Sequence, residues 1–272
     1  MIQSLLIGQL VWNLPLLFGL IGIAAFYGLL VLRFTDGSLL SKQPLFFLLS
    51  LGLLYITIGS PLTKISHLSF SLHMIQMSIF YFVIPPLFLL GIPNALFQFR
   101  PKIRFIHPSI NKMSTARNSL VIFSILLFIY HFPIVLTFIL QHPLFHKSYT
   151  TLLFCLAVGM WWPIVTPDPA QRLCPDRRKR YAFLSGMLLM PACSLFIFSA
   201  FLDGTSNPLL AQLTAHLCGP DGTLMGILPS PFNTKTDQIA AGFFMLGIHK
   251  CALLATGRIR DQDKKGQTST GS

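Results

Sequence analysis

The chain has 272 residues, of which 53% are hydrophobic and only 10% are charged, and its mean hydropathy is +0.67. A soluble domain cannot bury so much apolar surface, so the composition predicts an integral membrane protein with the bilayer as its solvent. The net charge of +12 fits the skewed loop charge of such a protein. It does not indicate nucleic-acid binding, because no basic soluble domain remains outside the apolar segments.

Apolar stretches of spanning length recur along the chain. A transmembrane helix needs about 20 apolar residues, and no segment alternates as a barrel strand does. We therefore predict an all-α, polytopic membrane helix bundle of about seven transmembrane helices. The predicted spans are 14–32, 44–60, 70–92, 118–140, 148–166, 181–202 and 236–257.

The basic residues of the loops predict the orientation of the bundle. With the N-terminus outside, 17 of the 20 Lys and Arg residues fall in inner regions, and Lys64, Lys147 and Lys235 fall outside. Positive charge accumulates on the inner side of membrane proteins, so the bundle is predicted N-out and C-in. Residues 1–257 then form the transmembrane domain. Residues 258–272 form a polar cytoplasmic tail, which its composition predicts to be disordered.

The third span begins with HMIQM, residues 73–77, and carries two prolines near its middle. His73 and Met77 are four residues apart and share one helix face. Imidazole and thioether together suit Cu(I), so the pair is a candidate copper site. Pro85 and Pro86 are interpreted as shaping a pocket below it, and simple kinking for helix packing is the alternative.

Other histidines fall on the same predicted outer side. His131 lies inside the fourth span, where an ionisable residue is a functional candidate, and His142 and His146 lead into the fifth. Together with His73 and Met77 they make a candidate metal site. The alternative is that these are ordinary interfacial histidines beside a methionine that fills a gap in the core.

Two further stretches border spans. Trp161 and Trp162, in WWPIVTPDPAQRL, suit the interfacial aromatic belt. Asp237, in TDQIAAG at the start of the seventh span, can cap its own helix. The alternative places Asp237 as a polar group beside the histidines.

These stretches carry a family resemblance. HMIQM…PPLFLLGIP (73–93), YHFP (130–133), the run from His146 to MWWP (146–163) and TDQIAAG (236–242) resemble the CtaG family. GSPL (59–62) resembles the form found in Bacillus-type bacteria. CtaG proteins are seven-helix membrane factors for assembly of bacterial caa-type cytochrome c oxidase, and the resemblance extends from about residue 10 to 257.

The resemblance implies a multi-pass protein of the bacterial plasma membrane that works with cytochrome c oxidase subunits and handles copper for their metal centres. The positions that match the polar motifs of the family are His73, His131, His146, Asp237 and Gln238. The sequence departs from many relatives at two positions, with Met77 and Thr150 where they carry a second histidine. Met77 can ligate copper, whereas Thr150 suits it poorly.

Three function classes follow from these observations. The first is a non-enzymatic assembly factor that binds Cu(I) at the outer face and helps its delivery to the oxidase. The second is a transporter of copper or a small solute, disfavoured because the spans hold no mid-membrane carboxylate. The third is a metal-free scaffold for oxidase subunits. The chain has no Glu, nucleophile elbow or phosphate loop, so we do not expect an enzyme.

Overall fold

The computed structural model describes residues 11–34, 41–93, 112–166, 172–202 and 232–269. Helices account for nearly all of this described part. In chain order they are α1 (Leu14–Phe34), α2 (Lys42–Gly59), α3 (Leu62–Ser66), α4 (Phe70–Ser78), a π-helical turn (Ile79–Val83), α5 (Ile84–Leu90), α6 (Lys112–Tyr130), α7 (Pro133–Gln141), α8 (Pro143–Val165), α9 (Pro175–Leu202) and α10 (Lys235–Ser269).

The spans agree with the sequence-based prediction. Among the described residues, six helical stretches are long and apolar enough to cross a membrane, and the α6–α7 pair makes a seventh if it acts as one span. The all-α, polytopic class is thereby confirmed. The N-out orientation stays a prediction, and most of the predicted outer loop 203–235 lies outside the described residues.

The span formed by α4, the π turn and α5 lies at the centre of the bundle. Of its most apolar window, 61% is buried inside the protein, against 17% for α1. Its side chains join those of α6, α8, α9 and α10 in the larger core cluster. At α10, Gly242 allows α9 to approach closely, because a Cβ there would come within 2.7 Å of the Cys193 carbonyl oxygen.

The helices α1 and α2 form a smaller cluster on the flank of the bundle. The rings of Tyr27 and Phe47 stack with centroids 3.8 Å apart. The Tyr27 hydroxyl donates a 2.6 Å hydrogen bond to the carbonyl of Gly91, just after α5. The flanking pair is therefore attached to the end of the central span.

The paired prolines explain the π turn in the central span. In the wide turn, the Ile84 amide donates to the Ile79 carbonyl. The residues that would donate to the Tyr81 carbonyl, four or five positions later, are Pro85 and Pro86, which have no N–H. The Trp161 indole nitrogen donates to this carbonyl instead, at 3.2 Å. Trp161 is buried in the core, which differs from its predicted place in the interfacial belt.

This bond leads to a first prediction. Trp161→Phe should lower the free energy of unfolding by about 1–3 kcal/mol, since the buried Tyr81 carbonyl would lose its donor. In a Pro85→Ala, Pro86→Ala background, where backbone N–H groups return, the same change should cost less. Denaturant titration in mixed micelles gives the unfolding free energies of the wild type, Trp161→Phe, the double proline variant and the triple variant, which form a double-mutant cycle. Equal costs in both backgrounds would show that Trp161 does not compensate for the prolines.

The predicted fourth span is broken at His131. The helices α6 and α7 meet at an angle of 88°, because α7 begins at Pro133 and residues before proline avoid helical geometry. The Phe132 amide donates to the Ile129 carbonyl at 3.2 Å, the carbonyl that Pro133 would have used in a continuous helix. The break places His131 at a buried elbow rather than along a straight span.

The helix α10 extends past the predicted domain boundary near residue 257. The helix continues to Ser269, and contacts with the rest of the chain hold its first tail residues. Arg260 donates to the carbonyls of Val165 and Thr166 at the end of α8. Asp261 pairs with Arg178 of α9 at 3.0 Å. The domain boundary near residue 257 and the disorder of the tail stay predictions.

Candidate functional site

Four histidines meet at one end of the bundle, which we call the histidine end: His67, His73, His131 and His146. His67 precedes α4, and its ring lies edge-on to that of His73, with centroids 6.0 Å apart. His73 is within electrostatic range of all three others. The structure therefore brings together three of the predicted metal residues and adds His67, which the sequence places on the outer side without assigning it to the site.

His73 has an unusual environment for a polar side chain. It is only 5% exposed, and neither ring nitrogen has a hydrogen-bond partner. Met77, 8% exposed, lies one turn further along the same face, and Met74 beside it is fully buried. A buried polar atom without a partner costs free energy, so His73 requires an explanation beyond packing.

His131 is held in one tautomer by the elbow. Its Nδ1 lies 2.6 Å from the Leu127 carbonyl oxygen, one turn earlier. A carbonyl only accepts, so Nδ1 carries a proton, and in the neutral imidazole Nε2 then keeps the free lone pair. Nε2 is buried without a partner. The elbow thus positions a neutral imidazole with its available nitrogen inside the bundle.

His146 and Tyr130 form the next part of the site. The Tyr130 hydroxyl lies 3.2 Å from His146 Nε2, and the two rings are nearly parallel, with centroids 6.3 Å apart. Tyr130 is buried, whereas His146 is half-buried. Thr150, where many relatives were expected to have histidine, donates its hydroxyl to the His146 carbonyl at 2.9 Å.

His142 stands at the surface instead. It is exposed, its Nδ1 lies 3.0 Å from the Phe138 carbonyl oxygen, and its ring packs on that of Phe138. None of its described ring contacts involves the histidine end. Within the described part of the chain, moreover, no three His, Cys, Asp or Glu side chains are arranged to hold a metal ion.

Asp237 connects the start of α10 to the start of α4. Its carboxyl oxygens accept from the amides of Phe70 at 2.9 Å and Ser71 at 3.3 Å. They also accept from the Ser69 hydroxyl at 3.0 Å, the Ser71 hydroxyl and the Asn233 amide at 3.0 Å. Asp237 therefore caps α4, a different helix from its own, and so positions His73 one turn further along.

Two glutamines brace the same region. Gln238 donates to the Ser199 hydroxyl of α9 at 2.6 Å, and its Oε1 is buried without a partner. Gln76 of α4 donates to the Thr57 carbonyl of α2 at 2.6 Å and accepts from the Ser66 hydroxyl. Sequence analysis missed Gln76 and Tyr130, although both lie inside the motifs HMIQM and YHFP.

His67 is the site histidine that lies outside the spanning helices. Burial, followed by the nearby Lys64 and His146 charges, lowers the pKa of His67 from 6.5 to about 4. The imidazole is therefore neutral at neutral pH. A neutral ring leaves a lone pair free for a metal ion or a hydrogen-bond donor.

The lowered pKa of His67 predicts acid sensitivity. An unfolded His67 binds a proton near pH 6.5 and the folded one near pH 4, so its contribution to stability is present above pH 6.5 and is lost as pH falls towards 4. Between pH 7 and pH 5, the wild type should lose about 1 kcal/mol more unfolding free energy than His67→Gln, after allowance for solvent screening. Parallel losses in the two proteins would contradict the prediction.

The match to a family comes from the sequence as a whole. The sequence model of the cytochrome c oxidase caa3 assembly factors, Caa3_CtaG, matches residues 25–257. The chain belongs to this family. Membership confirms the resemblance seen in the motifs, and with six to seven apolar helices the protein is a multi-pass protein of the bacterial membrane. No curated protein and no solved structure matches the chain significantly.

The match covers every element of the histidine end, from α3 to the first turns of α10. The described role of the family is assembly of an oxidase, which accords with a non-enzymatic protein that works with oxidase components.

Proposed function

We propose that this Caa3_CtaG protein binds Cu(I) at the histidine end and passes it to subunits of the oxidase that it helps to assemble. The observation that carries the proposal is the set of buried, unpartnered imidazole nitrogens on His73 and His131. Each such atom costs about 1–3 kcal/mol if it stays without a partner. A cargo ion that binds there would supply the missing partner.

The ligand chemistry supports copper over other cargo metals. Imidazole nitrogen and thioether sulfur favour Cu(I), whereas Mg²⁺ and Ca²⁺ favour carboxylate and carbonyl oxygen. The carboxyl group of Asp237, at the start of α10, already accepts hydrogen bonds from the start of α4. His73 and Met77 are therefore proposed as the first ligands, and His131 Nε2 as the neighbour that completes the shell.

The burial of the site supports reversible binding of Cu(I) away from bulk water. His67 and His146 are partly exposed at the mouth, whereas His73 and His131 are buried behind them. An ion can thus exchange ligands one at a time, from the partly exposed rings to the buried ones and back. His142, exposed and apart from these contacts, is proposed at most as an entry residue.

A metal-free scaffold is the second candidate, and one observation favours it. No three His, Cys, Asp or Glu side chains in the described ranges form a metal-holding arrangement. On this alternative, Asp237, Gln76 and Gln238 build a rigid surface for oxidase subunits, and the histidines are incidental. The two candidates differ in whether copper is bound at all.

The deciding experiment measures copper in protein purified in detergent under reducing conditions. The wild type should retain Cu(I) in competition with a colorimetric chelator, and His73→Leu, Met77→Leu should weaken Cu(I) binding at the histidine end by at least about tenfold. The matched control is Met187→Leu, Met190→Leu, since both methionines lie on the exposed face of α9. Wild-type protein that binds no Cu(I) would leave the scaffold as the function.

A further inference from the structure

A second buried histidine lies deep in the bundle, away from the histidine end. His249, near the middle of α10, is 1% exposed, and neither ring nitrogen has a partner. Its neighbours are aromatic, with the Phe82 centroid at 4.9 Å and the Trp161 centroid at 6.2 Å. As at His73, packing alone does not account for an imidazole in this place.

A buried thioether accompanies His249. Met245 is 2% exposed and lies four residues earlier, on the same face of α10. The sequence Met245–His249 has the spacing of His73–Met77 in reverse order. The same soft ligand set therefore occurs twice, once on α4 and once on α10.

The two pairs lie on neighbouring helices that pack against each other. The helices α4 and α10 run in the same direction, because Asp237 contacts Phe70 and, further along both helices, His249 contacts Phe82. At 1.5 Å per residue, Met77 and Met245 stand at nearly the same depth, and His249 lies about 18 Å below Asp237. His249 is thus near the middle of a bilayer whose hydrocarbon core is about 30 Å thick.

We propose that Met245 and His249 form a second, deeper Cu(I) site, which exchanges the ion with His73 and Met77. This inference rests on the proposed copper cargo. The ligands descend in the order His73, Met77, Met245, His249, with steps along the axis of at most about 6 Å. Transfer is ligand exchange only, with no electron or proton moved, and the Phe82 and Trp161 rings stabilise the cation within the apolar core.

The test counts Cu(I) per protein in the full chain under reducing conditions. Met245→Leu, His249→Leu should lower the bound Cu(I) by about half relative to wild type, and His73→Leu, Met77→Leu should leave the deeper ion in place. Met187→Leu, Met190→Leu is again the control, because it removes two thioethers from the exposed face of α9. Elution as a single species and a cooperative thermal transition verify folding.

The single variant Met245→Leu should fold even if the double variant does not, because it conserves side-chain volume. Measured in the His73→Leu, Met77→Leu background, it should weaken the remaining Cu(I) by at least about tenfold. X-ray absorption of the copper bound to His73→Leu, Met77→Leu, which keeps Met245 and His249, should show both sulfur and nitrogen neighbours. If the deep variant matches the control while the His73 variant loses all its copper, the deeper site is refuted and the proposed function stands. Wild-type protein without Cu(I) refutes both.

Discussion

Asp237→Ala is expected to lower the free energy of unfolding by about 3–5 kcal/mol, because several buried donors would lose their acceptor at about 1–3 kcal/mol each. The Asp237 side chain accepts from three backbone amides and two hydroxyls. Its removal would leave the first turn of α4 without a cap and several buried donors without an acceptor. The loss exceeds that of an ordinary N-cap, about 0.5–2 kcal/mol, because the bonds also join α10 to α4.

The comparison variant is Asp261→Ala, at the far end of the same helix. Asp261 pairs with Arg178 in an ion pair whose side chains are 55% and 23% exposed, so its removal should cost no more than about 1 kcal/mol. Denaturant titrations of both variants in mixed micelles give the two free energies. Asp237→Asn, which keeps one acceptor oxygen, should fall between them. Equal losses at Asp237 and Asp261 would mean that the network does not hold the two helices together.

The transmembrane spans could be predicted from the sequence because they depend on composition and length. Spans in a bilayer are set by about 20 apolar residues, and all the predicted segments coincide with helices or with the bent pair. The orientation of side chains between helices depends instead on contacts that are distant in sequence. Asp237 illustrates this point. Its sequence pattern predicted a cap of α10, but four of its five donor groups lie more than 160 positions away, at the start of α4.

The prolines also show which contacts the sequence alone does not predict. Proline predicts a break, but not where the freed carbonyl finds a donor. At Pro85 and Pro86 the donor is the Trp161 indole, and near Pro133 it is the Phe132 amide. The elbow that results fixes the tautomer of His131. Sequence reasoning could place His73, His131 and His146 on one side of the membrane, but not distinguish them from His142, whose ring lies at the surface.

His73→Leu should separate stability from function. Both imidazole nitrogens are buried without partners, and Leu is an apolar side chain that needs none. Replacing such a group by an apolar one is expected to leave the unfolding free energy unchanged or raise it by up to about 2 kcal/mol. Oxidase activity in membranes of cells that carry the variant should nevertheless fall, by at least about tenfold if copper binding depends on this ligand.

The variant His73→Leu is informative because stability and oxidase activity are expected to change in opposite directions. If His73 serves packing, its replacement should lower the stability of the protein. If His73 serves the cargo ion instead, its buried imidazole lowers stability, and its replacement should remove that cost. Membranes carrying Met187→Leu, a change on the exposed face of α9, serve as the activity control. Lower stability with unchanged oxidase activity would make His73 a structural residue. Equal stability with lost activity would place His73 at the point where the assembly factor meets its cargo.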